Sequence, residues 1–489
     1  MSLIVGTQGS SRFHGMMTLW QPTYYKDMRA YSLKTSLSLT FLSTLLCMSQ
    51  LSAQQPEPEV EAGAEAEQTG NTGNRLLYID LPVALEEGLD PVFPEPLPPA
   101  DPQDDPEFLR RLDTIRQYSS AVDSIEQAGG AWDRALVEEL SAMGSLQQQQ
   151  GEHAEAIETL NRAVHVNRIN AGLHTLEQIP AIEIMIDSYI AIGDWRNADL
   201  YNNYLFFVQR KAFGADDPRI IPVLDRLANW HMQAFNIGYG ESLGSRLSTA
   251  QILFKAAARM VSVHFGRADE RFVDLKTNIA RSAYLVSRYP EYMAELERPE
   301  ARTMEDLLRE SLNEQGRMLP RGFLSGEAAL QDIIDYYDEE SSSVYGLAEA
   351  ITSLGDWYII FERRRAAEQR YAQAYQLLLD QDNGEELIKQ LFGQVAPIPT
   401  FRLPTNLEKA TSHDPDPSGL HSDYADLSFD VTANGAVRNV RMLTEITDEN
   451  SLQLVRLRRE ARFSSFRPKV VDGRPVRTDD NQFRYRYWY

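Results

Sequence analysis

Three stretches of the chain repeat one arrangement of small and large side chains, and this constrains the fold more than any other feature. In the first stretch Gly144, Gly151, Ala156, Leu160 and Ala163 keep the frame. In the second Tyr189, Gly193 and Ala198 take corresponding places. The third supplies Leu354, Gly355, Tyr358, Ala367, Tyr371 and Ala374. Two antiparallel helices cross closely only where a small side chain faces a large one. Ala156, Ala198 and Ala367 are the expected small knobs, with Leu160 and Tyr371 filling the space one turn later. Glycine between the helices permits the tight turn. A unit of this kind cannot bury its apolar face alone, so the units are expected to stack into a solenoid over residues 107–392.

A longer spacing is also present. Gly151 and Gly193 are 42 residues apart, against about 34 in the simplest two-helix repeat. A connecting loop recurs as well: Phe213-Gly214-Ala215-Asp216-Asp217-Pro218-Arg219 resembles Phe265-Gly266-Arg267-Ala268-Asp269-Glu270-Arg271. After each loop a helical apolar pattern resumes, at Leu224, Leu227 and Ala228 and again at Leu275, Ile279 and Ala280. Taken together these residues resemble tetratricopeptide repeats of the longer class found in kinesin light chains. The resemblance implies a mostly α architecture that binds proteins or peptides. Residues 286–345 follow the frame poorly and read as a divergent unit or an insertion.

Composition shifts at Gly393. Residues 393–424 read as a linker with turns, and from residue 425 the apolar period changes to two: Leu427, Phe429 and Val431 alternate with Ser428, Asp430 and Thr432. Asn434-Gly435 is a strong hairpin signal. A second strand, a helix near residues 450–462 and a closing aromatic strand through Phe483, Tyr485, Tyr487 and Tyr489 complete the region. This order, with Phe466-Arg467-Pro468 and Asp472-Gly473-Arg474-Pro475-Val476, resembles the C-terminal domain of TonB-type energy transducers. The resemblance implies a small α+β fold over residues 425–489, working in the periplasm. Phe483, Tyr485, Tyr487 and Tyr489 share one face of the last strand. Two readings are open for them: contact with an extended partner added to the sheet edge, or packing against the preceding helix.

The N-terminal region reads as an address. Arg29 and Lys34 precede a short apolar run, Leu37 to Leu46, and Ala53 follows at a small-residue cleavage position. Residues 1–53 are therefore expected to be an over-extended start plus a signal peptide, with Met28 the initiator. An uncleaved anchor and a lipoprotein at Cys47 are the alternatives. Residues 54–106 are acidic and then Pro-rich, which predicts a disordered linker.

Chemistry is hard to find. The formal net charge of −23 repels nucleic acid and anionic membranes, so neither is an expected partner except through a retained signal segment. Gly240-Glu241-Ser242-Leu243-Gly244 matches the nucleophile-elbow pattern but lacks the strand that must precede it. The histidines show no metal-ligand spacing. His413-Asp414-Pro415-Asp416 reads as a solvated turn, and Asp216-Asp217 as a helix cap. No catalytic residue, cofactor or metal is expected. The protein reads as a cell-envelope adaptor for protein or peptide partners, with an anchored energy transducer as the alternative.

Overall fold

The computed structural model describes residues 78–79, 82–85, 105–312, 322–399, 422–447 and 450–488. The signal segment with Cys47, the acidic stretch 54–75, His413 and Tyr489 lie outside the described residues. Two short strands, β1 (Tyr78–Ile79) and β2 (Val83–Ala84), come first, and their partner is at the other end of the chain. Helix α1 (Pro106–Gly129) begins at Asp105, whose carboxylate accepts the Glu107 amide. Pro106 suits the first helical position because its missing N–H has no partner to lose there.

Five helix pairs follow. They are α2 (Leu136–Gln149) with α3 (His153–Ala171), α4 (Ile179–Ala191) with α5 (Trp195–Phe213), and α6 (Ile221–Asn236) with α7 (Leu243–His264). In the fourth, α8 (Arg271–Arg288) pairs with a helix that comes only after an insertion holding α9 (Pro290–Met293) and α10 (Pro299–Ser311). That partner is α11 (Phe323–Glu339). The fifth pair is α12 (Val344–Ile360) with α13 (Arg364–Leu379), followed by α14 (Gly384–Phe392). The poor frame of residues 286–345 thus has an insertion as its cause: α10 packs on α7, and the repeat resumes across it. Glu305 of the insertion accepts the Ser248 hydroxyl, and the Ser311 carbonyl accepts Arg210 Nε at 2.8 Å.

The packing logic of the repeats is visible in atoms. A Cβ placed on Gly144 would lie 2.5 Å from Leu160 Cγ, and one on Gly355 would lie 2.6 Å from Tyr371 Cε1. These glycines sit inside helices and make room for the opposing side chain. Ala156, Ala198, Ala367, Ala374, Leu160, Leu354 and Tyr371 are all fully buried in the array core. Tyr189 stacks on Tyr201 at 5.6 Å, and both hydroxyls bond Asn161 on the helix before.

The turns inside the pairs share a second geometry. Gly151, Gly193 and Gly238 take φ of +82°, +74° and +75°, and the residue after each donates back to a carbonyl of the first helix. In the last pair this place is held by Glu362, at φ +58°, with Arg363 N bonded to Tyr358 O at 2.8 Å. Left-handed backbone costs a residue with a Cβ about 1–2 kcal/mol, offset in part by the greater freedom glycine has when unfolded. Glu362→Gly is therefore expected to stabilise the protein by about 0.5–1 kcal/mol, measured by urea unfolding. An unchanged or lower midpoint would remove this account.

The recurring inter-pair loop also repeats in three dimensions. Asp217 accepts the Arg219 amide and guanidinium, while that guanidinium lies 4.1 Å over the Phe213 ring. Asp269, Arg271 and Phe265 do the same, with 4.3 Å to the ring. Asp217 thus caps the turn entering α6. In both loops the arginine is held between a carboxylate and an aromatic face.

The C-terminal region contains β3 (Ala396–Ile398), β4 (Ser422–Val431), β5 (Val437–Met442), α15 (Ser451–Phe463), β6 (Ser465–Arg467), β7 (Val470–Val471), β8 (Arg474–Pro475) and β9 (Thr478–Trp488). The main sheet is antiparallel in the order β1-β9-β4-β5, with β2 also on β9. Part of the stretch expected as a linker is therefore ordered: β3 pairs with β6, and β4 starts at Ser422. Gly435 closes the β4–β5 turn at φ +73°, and a Cβ there would sit 2.3 Å from the Phe466 carbonyl and 2.7 Å from Ile359 of α12. The hairpin tip lies directly against the last repeat.

Candidate protein-interaction surfaces

Two surfaces follow from this architecture. One is the face made by the first helices of successive pairs. Gln148 of α2 reaches the Ile184 carbonyl, and Arg226 of α6 reaches the Glu183 carbonyl and, at 3.0 Å, the Asp187 carboxylate. Burial raises the pKa of Asp225, and Asp274 on α8 raises it further. α8 and α12, both first helices, enclose a cleft of about 320 Å³ together with α11 and Pro399. Thr277, Arg281, Tyr337, Glu349 and Ser353 give it polar groups, and Trp357 and Pro399 contribute apolar wall. Burial lowers the Arg281 pKa. Such a cleft offers an apolar floor for one side chain and hydrogen-bonding groups for an extended backbone.

Of the aromatics on the array, Trp230 and Trp357 are buried, while Trp195 and Tyr358 are half-buried against the core. Trp357 Nε1 donates to the Phe323 carbonyl at 3.2 Å, and the Tyr358 hydroxyl donates to Glu327 at 2.8 Å. They are packing groups first. The polar residues of the cleft carried no sequence signal, because threonine, serine and glutamate on a helix read as ordinary solvent face.

The second surface is the C-terminal sheet. Phe483, Tyr485 and Tyr487 are 2%, 2% and 1% exposed. Phe483 stacks on Phe429 at 5.3 Å in the core of the domain. The reading of these side chains as partner contacts gives way to the packing one. The cause is topological: β9 is an interior strand, with β4 on one side and β1 and β2 on the other. The opposite edge, β5, is kinked by Asn439 at φ +54° and carries Arg438 and Arg441. Bulges and charge of this sort protect a sheet edge from casual pairing.

The two regions meet at a buried ion pair. Arg467 of β6 donates to both Asp356 oxygens of α12, at 2.6 Å for the shortest bond, and to the Leu391 carbonyl at 3.3 Å. The Tyr371 hydroxyl donates to the same carboxylate at 2.8 Å. Burial alone lowers an arginine's pKa, but the Asp356 charge outweighs it and holds Arg467 well above its ordinary value. Burial and the Asp356 charge together raise Tyr371.

A second, partly buried network lies inside the array. Asp199 accepts Trp230 Nε1 and Arg246 Nη1, both at 2.6 Å, and Arg246 also faces His231 Nδ1 at 3.3 Å. Burial raises the Asp199 pKa, yet the bonds from Arg246 and Trp230 leave it below the usual carboxylate range. Burial and the Arg246 charge push His231 well below its usual value. An unfolded histidine takes a proton near pH 6.5, whereas the folded one does not. The folded pKa is depressed, so stability is lost as pH falls below the unfolded value near 6.5, by up to about 1.4 kcal/mol per pH unit, until the folded group titrates. Urea unfolding at pH 7 and pH 5.5 is expected to show this loss, and His231→Gln to reduce it. Equal pH slopes in both proteins would refute the assignment.

Ser242 of the elbow-like motif is a helix cap. Its hydroxyl accepts the Ser245 amide at 3.2 Å and donates to Glu295 at 2.7 Å, and a Cβ on Gly244 would meet the Tyr292 carbonyl at 2.0 Å. Among the described residues no group of three histidine, cysteine or acidic side chains is placed to hold a metal, and no helix is long and apolar enough to cross a membrane.

No family model and no curated protein matches the chain. Among solved structures it is similar to BtubC (BKLC) from P. vanneervenii, at 12% identity and a TM-score of 0.35, over 56% of this chain and 91% of that one. It is also similar to a putative kinesin light chain of Podosopora anserina with nearly identical TPR-like repeats, at 13% identity and a TM-score of 0.32, over 42% of this chain and 91% of that one. From its own packing, the chain is a mostly helical repeat solenoid of tetratricopeptide-like pairs that carries a small C-terminal antiparallel sheet.

Proposed function

We propose that this protein is a non-catalytic adaptor of the cell envelope, exported by its N-terminal signal, whose repeat face holds an extended protein segment. The observation that carries the reading is the cleft between α8, α11 and α12, where an apolar floor and several polar side chains lie together. The TonB-like C-terminal domain is the second binding module in this reading. Strand addition on β9 requires a partner to displace β1 and β2, which are only two residues each.

Photo-crosslinking from Ser353 in bacterial cells tests the groove. A discrete crosslinked protein, lost when Thr277 is replaced by tryptophan, is expected. Crosslinking that is unaffected by Thr277→Trp would place the partner elsewhere. The mature N-terminus tests the location. A start near Gln54 in the soluble periplasmic fraction supports a diffusible adaptor. Retention of residues 37–53 with inner membranes favours the other reading, an anchored TonB-like energy transducer coupled to outer-membrane receptors.

A further inference from the structure

Helix α15 has two faces of unlike purpose. Leu454, Leu457 and Ala461 are buried in the C-terminal core. The helical period turns Leu452, Val455, Arg459 and Phe463 to the opposite side. There Leu452 is 60%, Val455 62% and Phe463 65% exposed. Arg458, Arg459 and Arg462 are exposed around them and Arg456 is half-exposed, while Glu460 is the helix's lone acidic residue. Glu460 sits to one flank, where its charge acts on Tyr284 of α8. The loop entering the helix adds exposed Leu443 and Ile446. In a chain of net charge −23, a helix with four arginines and an uncovered apolar stripe is a local reversal of both charge and polarity.

We propose that this outward face of α15 docks an acidic, amphipathic segment of another protein, with carboxylates opposite the arginines and apolar side chains over Leu452, Val455 and Phe463. Three features favour a protein over a lipid surface. The cations are all arginine, which pairs carboxylates in a fixed fork and is enriched at protein interfaces where lysine is depleted. The helix is pinned by its buried face, so only three of its apolar side chains reach outward. An anionic bilayer extends past the helix and meets the rest of the acidic molecule, whereas a single acidic segment meets only the arginine cluster. None of Leu452, Val455, Phe463 or the four arginines lines the repeat cleft or belongs to β1, β2 or β9, so variants at these positions test this face alone.

The test uses the full chain and a fluorescein-labelled 21-residue synthetic helix bearing leucines and glutamates along one face, read by anisotropy. Binding is expected, weakening with salt and falling about tenfold or more, roughly 1.4 kcal/mol or more, in Arg456→Glu/Arg459→Glu and in Leu452→Ser/Phe463→Ser. The same helix with lysine for each glutamate is expected not to bind. All substituted residues face outward, and unchanged circular dichroism and thermal midpoint confirm that the variants fold. Absence of binding, or equal binding by the variants, overturns the proposal. So does cosedimentation with phosphatidylglycerol vesicles that Arg456→Glu/Arg459→Glu abolishes, which would make lipid the occupant. Self-association by sedimentation velocity that the same variant abolishes overturns it in favour of a second copy of this chain.

Discussion

Replacing Asp356 with alanine is expected to cost about 3–5 kcal/mol, because Arg467 is left buried without its counter-charge. Asp356 and Arg467 side chains are only 5% and 7% exposed, so solvent cannot replace the lost bonds. The same change leaves the Tyr371 hydroxyl without its acceptor. Tyr371→Phe alone is expected to be milder, about 1–2 kcal/mol, since it removes a donor while Asp356 keeps Arg467. The double variant Asp356→Leu/Arg467→Met should recover most of the loss, as buried ion pairs replaced by apolar residues of similar size often do. Urea unfolding of the four proteins measures this. Hydrogen exchange should show β6 and the middle of α12 losing protection together in Asp356→Ala. Full protection of β6 in that variant would mean that β3 and the hairpin tip at Gly435, not the ion pair, hold the C-terminal domain to the array.

Trp357→Ala is expected to destabilise by about 3–5 kcal/mol through the cavity it leaves. The indole is 1% exposed and lies against α11, where a Cβ on Gly326 would meet Trp357 Cζ2 at 2.1 Å. Gly326 exists to admit this ring, so Gly326→Val should also be severe, by about 1–3 kcal/mol or more from overpacking. The two changes oppose each other in volume, and the double variant Gly326→Val/Trp357→Ala should cost less than the sum of the singles. Additive losses would separate the two sites. Because Trp357 also walls the cleft, the same variants should alter crosslinking from Ser353.

Much of the array was legible because its rules are local and repeated. Gly144, Ala156 and Leu160, and again Gly355, Ala367 and Tyr371, keep one frame of small and large residues, and the Phe-Gly…Asp…Arg loop announces itself twice; that it is the glycines that face Leu160 and Tyr371 appeared only in the structure. The turn at Glu362 was not legible, since a glutamate at positive φ gives no composition signal. The insertion was half legible: residues 286–345 read as a divergent unit or an insertion, and only contacts show that α8 skips α9 and α10 to reach α11. The functional surfaces were least visible. The cleft residues come from α8, from the consecutive helices α11 and α12 beyond the insertion, and from Pro399, and the outward face of α15 reads as ordinary helix until its other face is seen to be buried.

Sequence alone determined the helical-repeat class, the change of period near residue 425, the Asn434-Gly435 turn and the small-against-large packing, because each depends on neighbours within a few turns of the chain. Tertiary structure alone decided that β9 is an interior strand, that Phe483, Tyr485 and Tyr487 are core, and that Arg467 belongs to Asp356, 111 residues earlier. Those outcomes depend on which strand takes the open hydrogen bonds of β9 and which carboxylate meets a buried guanidinium. Both are choices among distant partners of similar local character, settled only by burying them together.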